Sequence, residues 1–304
     1  MAFEIIGHKY IWESLKKMFE SGRISQTFLF FGPEKVGKKT TALELMKFIN
    51  CKEGLDKRPC HNCRPCIDIQ KRSYPDLFFV KPIGKEIKIS QIRKLNWYLS
   101  LQPSLSSFKS AIIDKAHLMN QEAQNSLLKT LEEPKGKAVI VLVTSFPELL
   151  FPTIASRTKK IRFSTVAKEE IVNFLKKKKL NNKEIEEVYS ASFGKPGEAI
   201  DILSDSSKIK ETKRIIKELK ILLDSSLVFR FDYAKKISED REKLIELLDI
   251  WTQFFRKDLI LSNFKSDKLR KTKKIINLLQ DVRLLLLKTE VNPKLAIERI
   301  LLEF

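Results

Sequence analysis

The stretch TFLFFGPEKVGKK, residues 27–39, decides the fold of this chain. Its first five residues, Thr27–Phe31, form an apolar run with the length and composition of a buried strand. Gly32 to Lys38 then match G-x-x-x-x-G-K, the pattern of a loop that binds phosphates with its backbone N–H groups and its lysine. A strand, a phosphate-binding loop (P-loop) and a helix therefore open an α/β domain here.

The residue after Lys38 departs from the P-loop pattern. Ser or Thr is expected there, because its hydroxyl ligates the Mg²⁺ of the bound nucleotide. This chain has Lys39 instead, and Thr40 comes one residue too late, turned by about 100° around the helix. The sequence predicts the frame of a nucleotide site in which binding of ATP and Mg²⁺ is doubtful.

A second element that P-loop ATPases need for hydrolysis is replaced further along the chain. Ser110–Asp114 reads as an apolar strand that ends in a carboxylate, from which Asp114 would hold Mg²⁺. The next residue is Lys115, a cation that cannot act as a general base and would repel the metal. The predicted degenerate nucleotide site therefore consists of Gly32, Gly37, Lys38, Lys39, Thr40 and Asp114.

Short apolar strands alternate with helical patterns as far as about residue 165, which is typical of an α/β domain with a mostly parallel sheet. The predicted strands are Phe28–Phe31, Asp76–Val80, Ser110–Asp114, Val139–Thr144 and Lys160–Phe163. The predicted helices are Ile11–Phe19, the helix after the P-loop, Ile89–Leu101 and Asn120–Leu131, the last of them stopped by Pro134.

Strand patterns end after this α/β region. Residues 166–205 read as a small helical segment, and from about residue 207 apolar residues follow helical spacing only. Two stripes run through 209–222 and 244–255, a third helix runs through Ile275–Leu287, and a fourth begins with Asn292 as its cap and Pro293 as its first residue. These stripes predict an all-helical core.

The four cysteines of the chain lie within sixteen residues, as C-x8-C-x2-C-x2-C. Four thiolates at this spacing can close a tetrahedral Zn²⁺ site and leave no open position, so we expect a structural zinc module. Oxidised pairs or unrelated thiols are the alternative. The predicted ligands are Cys51, Cys60, Cys63 and Cys66, and His61 inside the array is not needed.

The formal net charge of +20 favours an anionic partner, most simply nucleic acid, although a general bias toward lysine would give the same charge. No uncharged apolar run approaches the ~18 residues of a membrane span, and residues 1–10 do not read as a signal peptide. We therefore expect a cytoplasmic protein with no membrane partner.

The order of the motifs resembles the bacterial clamp-loader branch of the AAA+ family. After the P-loop and the cysteine array come Pro75-Asp76, the ISQIRKL helix at 89–95, AIIDKAHLMNQEAQNSLLKTLEEP at 111–134, VLVTS at 141–145, IASRT at 154–158 and GKPGEAI at 194–200. Within this branch the chain is similar to the delta-prime subunit of the DNA polymerase III clamp loader, because gamma/tau subunits would carry G-K-[ST] and D-E-x-H.

The resemblance implies three domains. They are an AAA+ nucleotide-binding-like domain over 1–165 with a zinc module at 51–66, a helical lid domain over 166–206, and an all-helical collar for oligomerisation over 207–304. In the lid, Gly197 stands where an arginine would touch the γ-phosphate. The family's Ser-Arg-Cys reads Ser156-Arg157-Thr158 here, and Arg157 is the implied arginine finger supplied in trans to a neighbouring ATPase subunit.

The resulting expectation is a non-hydrolysing stator subunit that helps load the sliding clamp onto primed DNA. Its implied partners are the gamma/tau ATPase subunits and the delta subunit, reached through the collar, together with the clamp and primed DNA. One alternative is an active ATPase, gamma/tau-like or another zinc-bearing P-loop enzyme. Another is a free-standing DNA-binding protein with a vestigial AAA+ fold.

Overall fold

The computed structural model describes residues 5–22, 27–132, 138–178, 180–261 and 266–304, without the side chains of 260, 261 and 266–268. The chain forms two compact units. The first is Met1–Leu180 with Gly194–Glu198, and the second is Asn181–Phe193 with Ala199–Phe304.

A five-stranded parallel sheet is the centre of the first unit, with the strand order β2-β3-β4-β1-β5. The strands are β1 Thr27–Phe31, β2 Leu77–Val80, β3 Lys109–Ile113, β4 Ala138–Thr144 and β5 Lys159–Arg162. All five predicted strands are confirmed to within a residue at each end. The carboxyl ends of parallel strands meet at one edge, where ligands bind in open α/β sheets.

Helices cover both faces of this sheet. The helices of the first unit are α1 Lys9–Glu20, α2 Lys38–Asn50, α3 Arg64–Lys71, α4 Ile89–Ser100, α5 Gln121–Glu132, α6 Pro152–Ser156 and α7 Lys168–Lys176. Alternate residues of each strand point to opposite faces. In β4, Val139 and Val141 therefore pack in the core with α1 and α2, whereas Ile140 and Leu142 pack in the core with α4 and α5.

The second unit is helical throughout the part that the structure describes. Its helices are α8 Asn182–Ser192, α9 Pro196–Ser204, whose start belongs to the first unit, α10 Ser207–Leu223, α11 Leu227–Ile237, α12 Arg241–Leu261, α13 Ser266–Lys288 and α14 Pro293–Leu301. One core joins α10 to α14 around the fully buried Trp251.

The helix predictions hold with two omissions. Asn292 caps α14 through its side chain, as predicted. The sequence pattern missed α11, whose exposed apolar residues blur the helical stripe, and it missed α3, which lies inside the cysteine array. The proline stop at Pro134 lies outside the described residues. The three domain boundaries stay a prediction.

None of the described helices combines the length and the low polarity that crossing a membrane requires.

Candidate functional site

The P-loop lies between the end of β1 and the start of α2, at the carboxyl edge of the sheet. It turns through three left-handed residues, Gly32 (φ 140°), Lys35 (φ 60°) and Gly37 (φ 104°). Gly32 is required for a second reason: a Cβ there would lie 2.1 Å from the carbonyl oxygen of Phe163. The local sequence therefore builds the loop geometry that the G-x-x-x-x-G-K pattern predicts.

Lys38 ties the loop to the neighbouring strand. Its side chain is buried, and Nζ donates to the carbonyl oxygens of Gly32 at 2.6 Å and Pro33 at 2.5 Å and to Oγ of Ser145 at 3.1 Å. Ser145 directly follows β4, so the carboxyl end of this strand contacts the P-loop lysine through the Ser145 hydroxyl.

Lys39 and Asp114 come together as a direct ion pair. Nζ of Lys39 lies 2.6 Å from Oδ2 of Asp114 and 5.1 Å from the centre of the Phe79 ring. The hydroxyl that would ligate Mg²⁺ is thus replaced by an ammonium that already satisfies the carboxylate. The sequence did not indicate a role for Phe79, because the sequence of a strand does not show which cation its aromatic ring contacts in the fold.

Two further residues after β3, Lys115 and His117, are placed differently from Lys39. Lys115 has an exposed side chain and a left-handed backbone (φ 52°). His117 is buried, with Nδ1 3.0 Å from Oγ1 of Thr144 and its ring 5.0 Å from that of Phe146. His117 is therefore a packed residue of this edge. The cation that faces Asp114 is Lys39 rather than Lys115.

Gly197 touches the P-loop at the start of α9. Its N–H donates to the carbonyl oxygen of Lys35 at 2.8 Å, and a Cβ at Gly197 would lie 2.8 Å from that oxygen. Glu198 pairs with Nζ of Lys35 at 2.9 Å. The position at which the resemblance expects an arginine therefore has no room for a side chain unless the backbone moves.

Arg157 directly follows α6 and lies on the surface. Its guanidinium is 2.8 Å from Oε1 of Glu132 and donates to the carbonyl oxygen of Thr153 at 3.1 Å. Both side chains of the ion pair are more than a third exposed. In the single chain this arginine therefore makes a local, solvent-screened contact and is separate from the residues of its own P-loop.

The four cysteines converge into one cluster beside α3. Their sulfur atoms all lie within 4.8 Å of one another, and Sγ of Cys51 is 3.9 Å from Sγ of Cys63. That separation is far longer than a disulfide bond and is close to the about 3.8 Å between sulfurs in a tetrahedral zinc site. The donor set fits a structural Zn²⁺ ion.

The surroundings of the thiols differ. Burial raises the pKa of Cys51 and Cys66, whereas the N–H groups of Asn62 and Cys63 lower the pKa of Cys60 to about 7. A bound cation would favour the thiolate form of all four. His61 turns toward Glu44, with 3.6 Å between its Nε2 and Oε2, so it lies outside the sulfur set.

Asp76 is a buried carboxylate whose structural role the sequence reasoning missed. It lies just before β2 and accepts hydrogen bonds from the N–H groups of Ser104, Leu105 and Ser106 and from Nζ of Lys109. Burial alone would raise its pKa, but these donors outweigh burial and hold it at about 2. The only sequence signal for this carboxylate is the Pro75-Asp76 pair within the order of motifs.

A family profile matches residues 7–167, more than half of the chain, and is described as DNA polymerase III, delta subunit. The chain belongs to this family. The match covers the sheet, the P-loop, the cysteine cluster and Arg157, so the site described above is the part that carries the family relationship.

Curated relatives of this DNA polymerase III family member carry more than one subunit name. Subunit delta' of Bacillus subtilis is 38% identical over 53% of this chain and 49% of its own length. Subunit gamma of Buchnera aphidicola from Schizaphis graminum is 35% identical over 57% and 47%, and B. subtilis tau is 28% identical over 81% and 46%. The chain spans about half the length of the curated relatives it matches.

Two solved structures resemble the family member at low similarity. A gamma subunit-related protein of Thermotoga maritima is 20% identical with a TM-score of 0.42, over 96% of this chain and 97% of that one. The RuvB Holliday junction branch migration motor of the same organism is 16% identical with a TM-score of 0.46, over 71% and 64%. Neither adds an argument about function. The parallel five-stranded sheet with its helices fits the AAA+ fold.

Proposed function

We propose that this clamp-loader family member is a non-hydrolysing stator of the delta-prime type. The observation that carries the proposal is the 2.6 Å ion pair between Lys39 and Asp114. Hydrolysis by a P-loop enzyme requires Mg²⁺ held from a hydroxyl and from this aspartate. Here the hydroxyl is missing and the aspartate is neutralised by an ammonium of the same chain.

Two further features support the loss of hydrolysis. Lys115 follows Asp114 where a catalytic glutamate would polarise the attacking water, and a lysine cannot act as that base. Gly197 contacts the backbone of Lys35 so closely that a γ-phosphate-sensing arginine has no room. One loss alone could be a variant of an active site, but three separate losses argue against turnover.

The chemical contribution of the chain to the complex is then Arg157, acting in trans. An arginine that reaches the γ-phosphate of a neighbour stabilises the charge of the transition state and can raise the rate by ~10³-fold or more. The surface position of Arg157 suits this role. Its partner Glu132 is about half exposed, so replacing this ion pair by one with a phosphate costs little free energy. A purely local role in the Glu132 pair is the opposing interpretation.

The remaining assignments rest on the resemblance to clamp-loader subunits and belong to the same proposal. Residues 1–165 form the AAA+ domain with a structural Zn²⁺ at Cys51, Cys60, Cys63 and Cys66, residues 166–206 form the lid, and residues 207–304 form the collar. The collar joins the gamma/tau and delta subunits, and the assembled complex places the sliding clamp on primed DNA in the cytoplasm.

An active gamma/tau-like ATPase is the second candidate. It is favoured by the relatives named gamma or tau, among which B. subtilis tau matches over 81% of this chain. The free-standing DNA-binding protein has no such support. The two remaining candidates differ in one measurable property, which is ATP turnover by the isolated chain.

The test is clamp- and primed-DNA-stimulated ATP turnover by a loader reconstituted with the cognate subunits. We expect no turnover by the chain alone and a loss of at least about tenfold on Arg157→Ala in the assembled loader. Arg162→Ala, which removes an exposed arginine from β5, is the matched control and should leave turnover unchanged. Turnover by the isolated chain, or normal turnover with Arg157→Ala in an intact complex, would contradict the proposal.

A further inference from the structure

The divalent cation expected at a P-loop does not fit the residues of this one. Mg²⁺ is held at such a loop by a Ser or Thr hydroxyl and by the aspartate of the neighbouring strand. The hydroxyl position is Lys39, and one oxygen of Asp114 is 2.6 Å from its ammonium. Magnesium demands near-ideal octahedral oxygen coordination, which an ammonium neither supplies nor tolerates at that distance.

Two contacts hold the Lys39 ammonium in this position. Asp114 forms a short charge-assisted hydrogen bond with it, and the ring of Phe79 lies 5.1 Å away, within the range of a cation–π contact. The guanidinium of Arg72 stands over the same ring at 4.6 Å. A divalent ion would therefore have to displace one cation while lying close to another.

The loop itself retains the features that attract phosphate. Its left-handed residues Gly32, Lys35 and Gly37 shape the turn, α2 begins at Lys38 directly behind it, and the buried Lys38 ammonium lies among the loop carbonyls. Lys39 adds a second ammonium at the place where a metal would otherwise neutralise the phosphates. The loop therefore keeps groups suited to an anion, and an ammonium occupies the place of the metal.

We propose that the Lys39 ammonium permanently replaces the divalent cation of this P-loop, so that the loop binds a nucleoside triphosphate as the metal-free anion. Bound in this way, the nucleotide is a fixed structural ligand and not a substrate, since nothing polarises its γ-phosphate through a metal. This inference goes beyond the stator role, which Arg157 could fulfil whether or not the loop of its own chain is filled.

The test compares ATP binding by the full chain in Mg²⁺ and in EDTA, measured by titration calorimetry. The wild-type chain should bind ATP no more tightly with Mg²⁺ than in EDTA. Lys39→Thr, which restores the hydroxyl and frees Asp114, should reverse this and bind at least about tenfold more tightly with Mg²⁺. Lys115→Asn removes an exposed lysine beside Asp114, accepts the left-handed backbone, and should keep the wild-type ratio.

Three outcomes would overturn the inference. The first is that Mg²⁺ lowers the Kd of the wild-type chain for ATP tenfold, and that Asp114→Asn restores the Kd measured in EDTA. The second is no ATP binding in either solution. The third is Lys39→Thr that folds normally, as judged by its unfolding curve, yet shows no dependence on Mg²⁺. None of these results alters turnover in the reconstituted loader, so a failure here is distinguishable from a failure of the stator proposal.

Discussion

The P-loop and the cysteine cluster lie in the same compact unit, and each surrounds a position where its sequence pattern predicts a metal ion. At the P-loop, the chain supplies its own cation, because the partly exposed side chain of Lys39 forms an ion pair with Asp114. At the cluster, four sulfurs within 4.8 Å of one another have no protein cation among them in the described residues, since His61 turns to Glu44. The P-loop is neutralised by a residue of the chain itself, whereas the four sulfurs have the arrangement that fits an ion from solution.

This difference sets how each region responds to change. A site closed by a partly exposed ion pair loses only the modest free energy of that contact when one partner is removed. A metal-closed loop with little core of its own loses most of its folding free energy with the ion. The predictions below test that contrast, beginning with the largest expected effect.

Removal of zinc should have the largest consequence. Cys66→Ala, at a buried ligand, should abolish stoichiometric zinc and cost on the order of 10 kcal/mol of local folding, so that amide hydrogen exchange rises across residues 51–71. The measurements are metal content per chain and hydrogen exchange. His61→Ala is the control and should keep both. A metal-free chain with residues 51–71 still protected from exchange would contradict the contrast.

The buried Asp76–Lys109 pair, 2.8 Å apart, tests how much an enclosed internal ion pair can contribute. Asp76→Asn leaves Lys109 without its counter-charge and should lower the free energy of unfolding by about 3 kcal/mol in urea titrations. Asp56→Asn, at an exposed carboxylate, should change it by less than about 0.5 kcal/mol. If the two substitutions changed the free energy of unfolding equally, the Asp76–Lys109 pair would not stabilise the fold as proposed.

The same carboxylate predicts a dependence on pH. The folded pKa of Asp76 is lowered to about 2, below the ordinary value near 4, so its stabilisation is present above pH ~4. That stabilisation should be lost as the pH falls from about 4 to about 2. Acid unfolding of wild type and Asp76→Asn, followed by circular dichroism, should converge at the low end of this range. Parallel curves throughout would refute the assignment.

The contact between Gly197 and the P-loop should have a smaller effect. Gly197→Ala places a Cβ 2.8 Å from the Lys35 carbonyl oxygen and should destabilise the chain by about 2 kcal/mol, measured in urea. Gly54→Ala is matched, because its Cβ would meet nothing within 4 Å. If both substitutions leave the free energy of unfolding unchanged, Gly197 does not pack against the Lys35 backbone of the P-loop as described.

The Lys39–Asp114 pair should contribute least to stability. The Lys39 side chain is more than a third exposed, so Lys39→Met should cost only about 1 kcal/mol. A double-mutant cycle with Asp114→Asn should give a coupling free energy of about 0.5–1 kcal/mol. A coupling of zero would mean that the ammonium does not neutralise the carboxylate, and the P-loop would no longer differ from the cysteine cluster.

Sequence patterns predicted the frame of the molecule closely. The five strands follow from short apolar runs, and the P-loop follows from glycines at positions that need a left-handed backbone. The helix α11 was missed because Leu227, Val228 and Phe229 are apolar yet exposed, which hides the periodicity that burial normally imposes. The helical spacing of apolar residues reflects which residues are buried. A helix with apolar residues on its exposed face therefore lacks a clear apolar stripe.

The sequence by itself determined which chemical groups are present: a P-loop without its hydroxyl, an aspartate followed by lysine, and four cysteines at metal-binding spacing. Only the tertiary structure decided how these groups are partnered. Lys39 and Asp114 are 75 residues apart, and the pair exists because parallel β1 and β3 bring their carboxyl ends to one edge. Asp76 gained its role in the same way, from a loop and a strand about 30 residues downstream. Composition and spacing are local properties of a chain, whereas charge neutralisation is set by which segments the fold packs together.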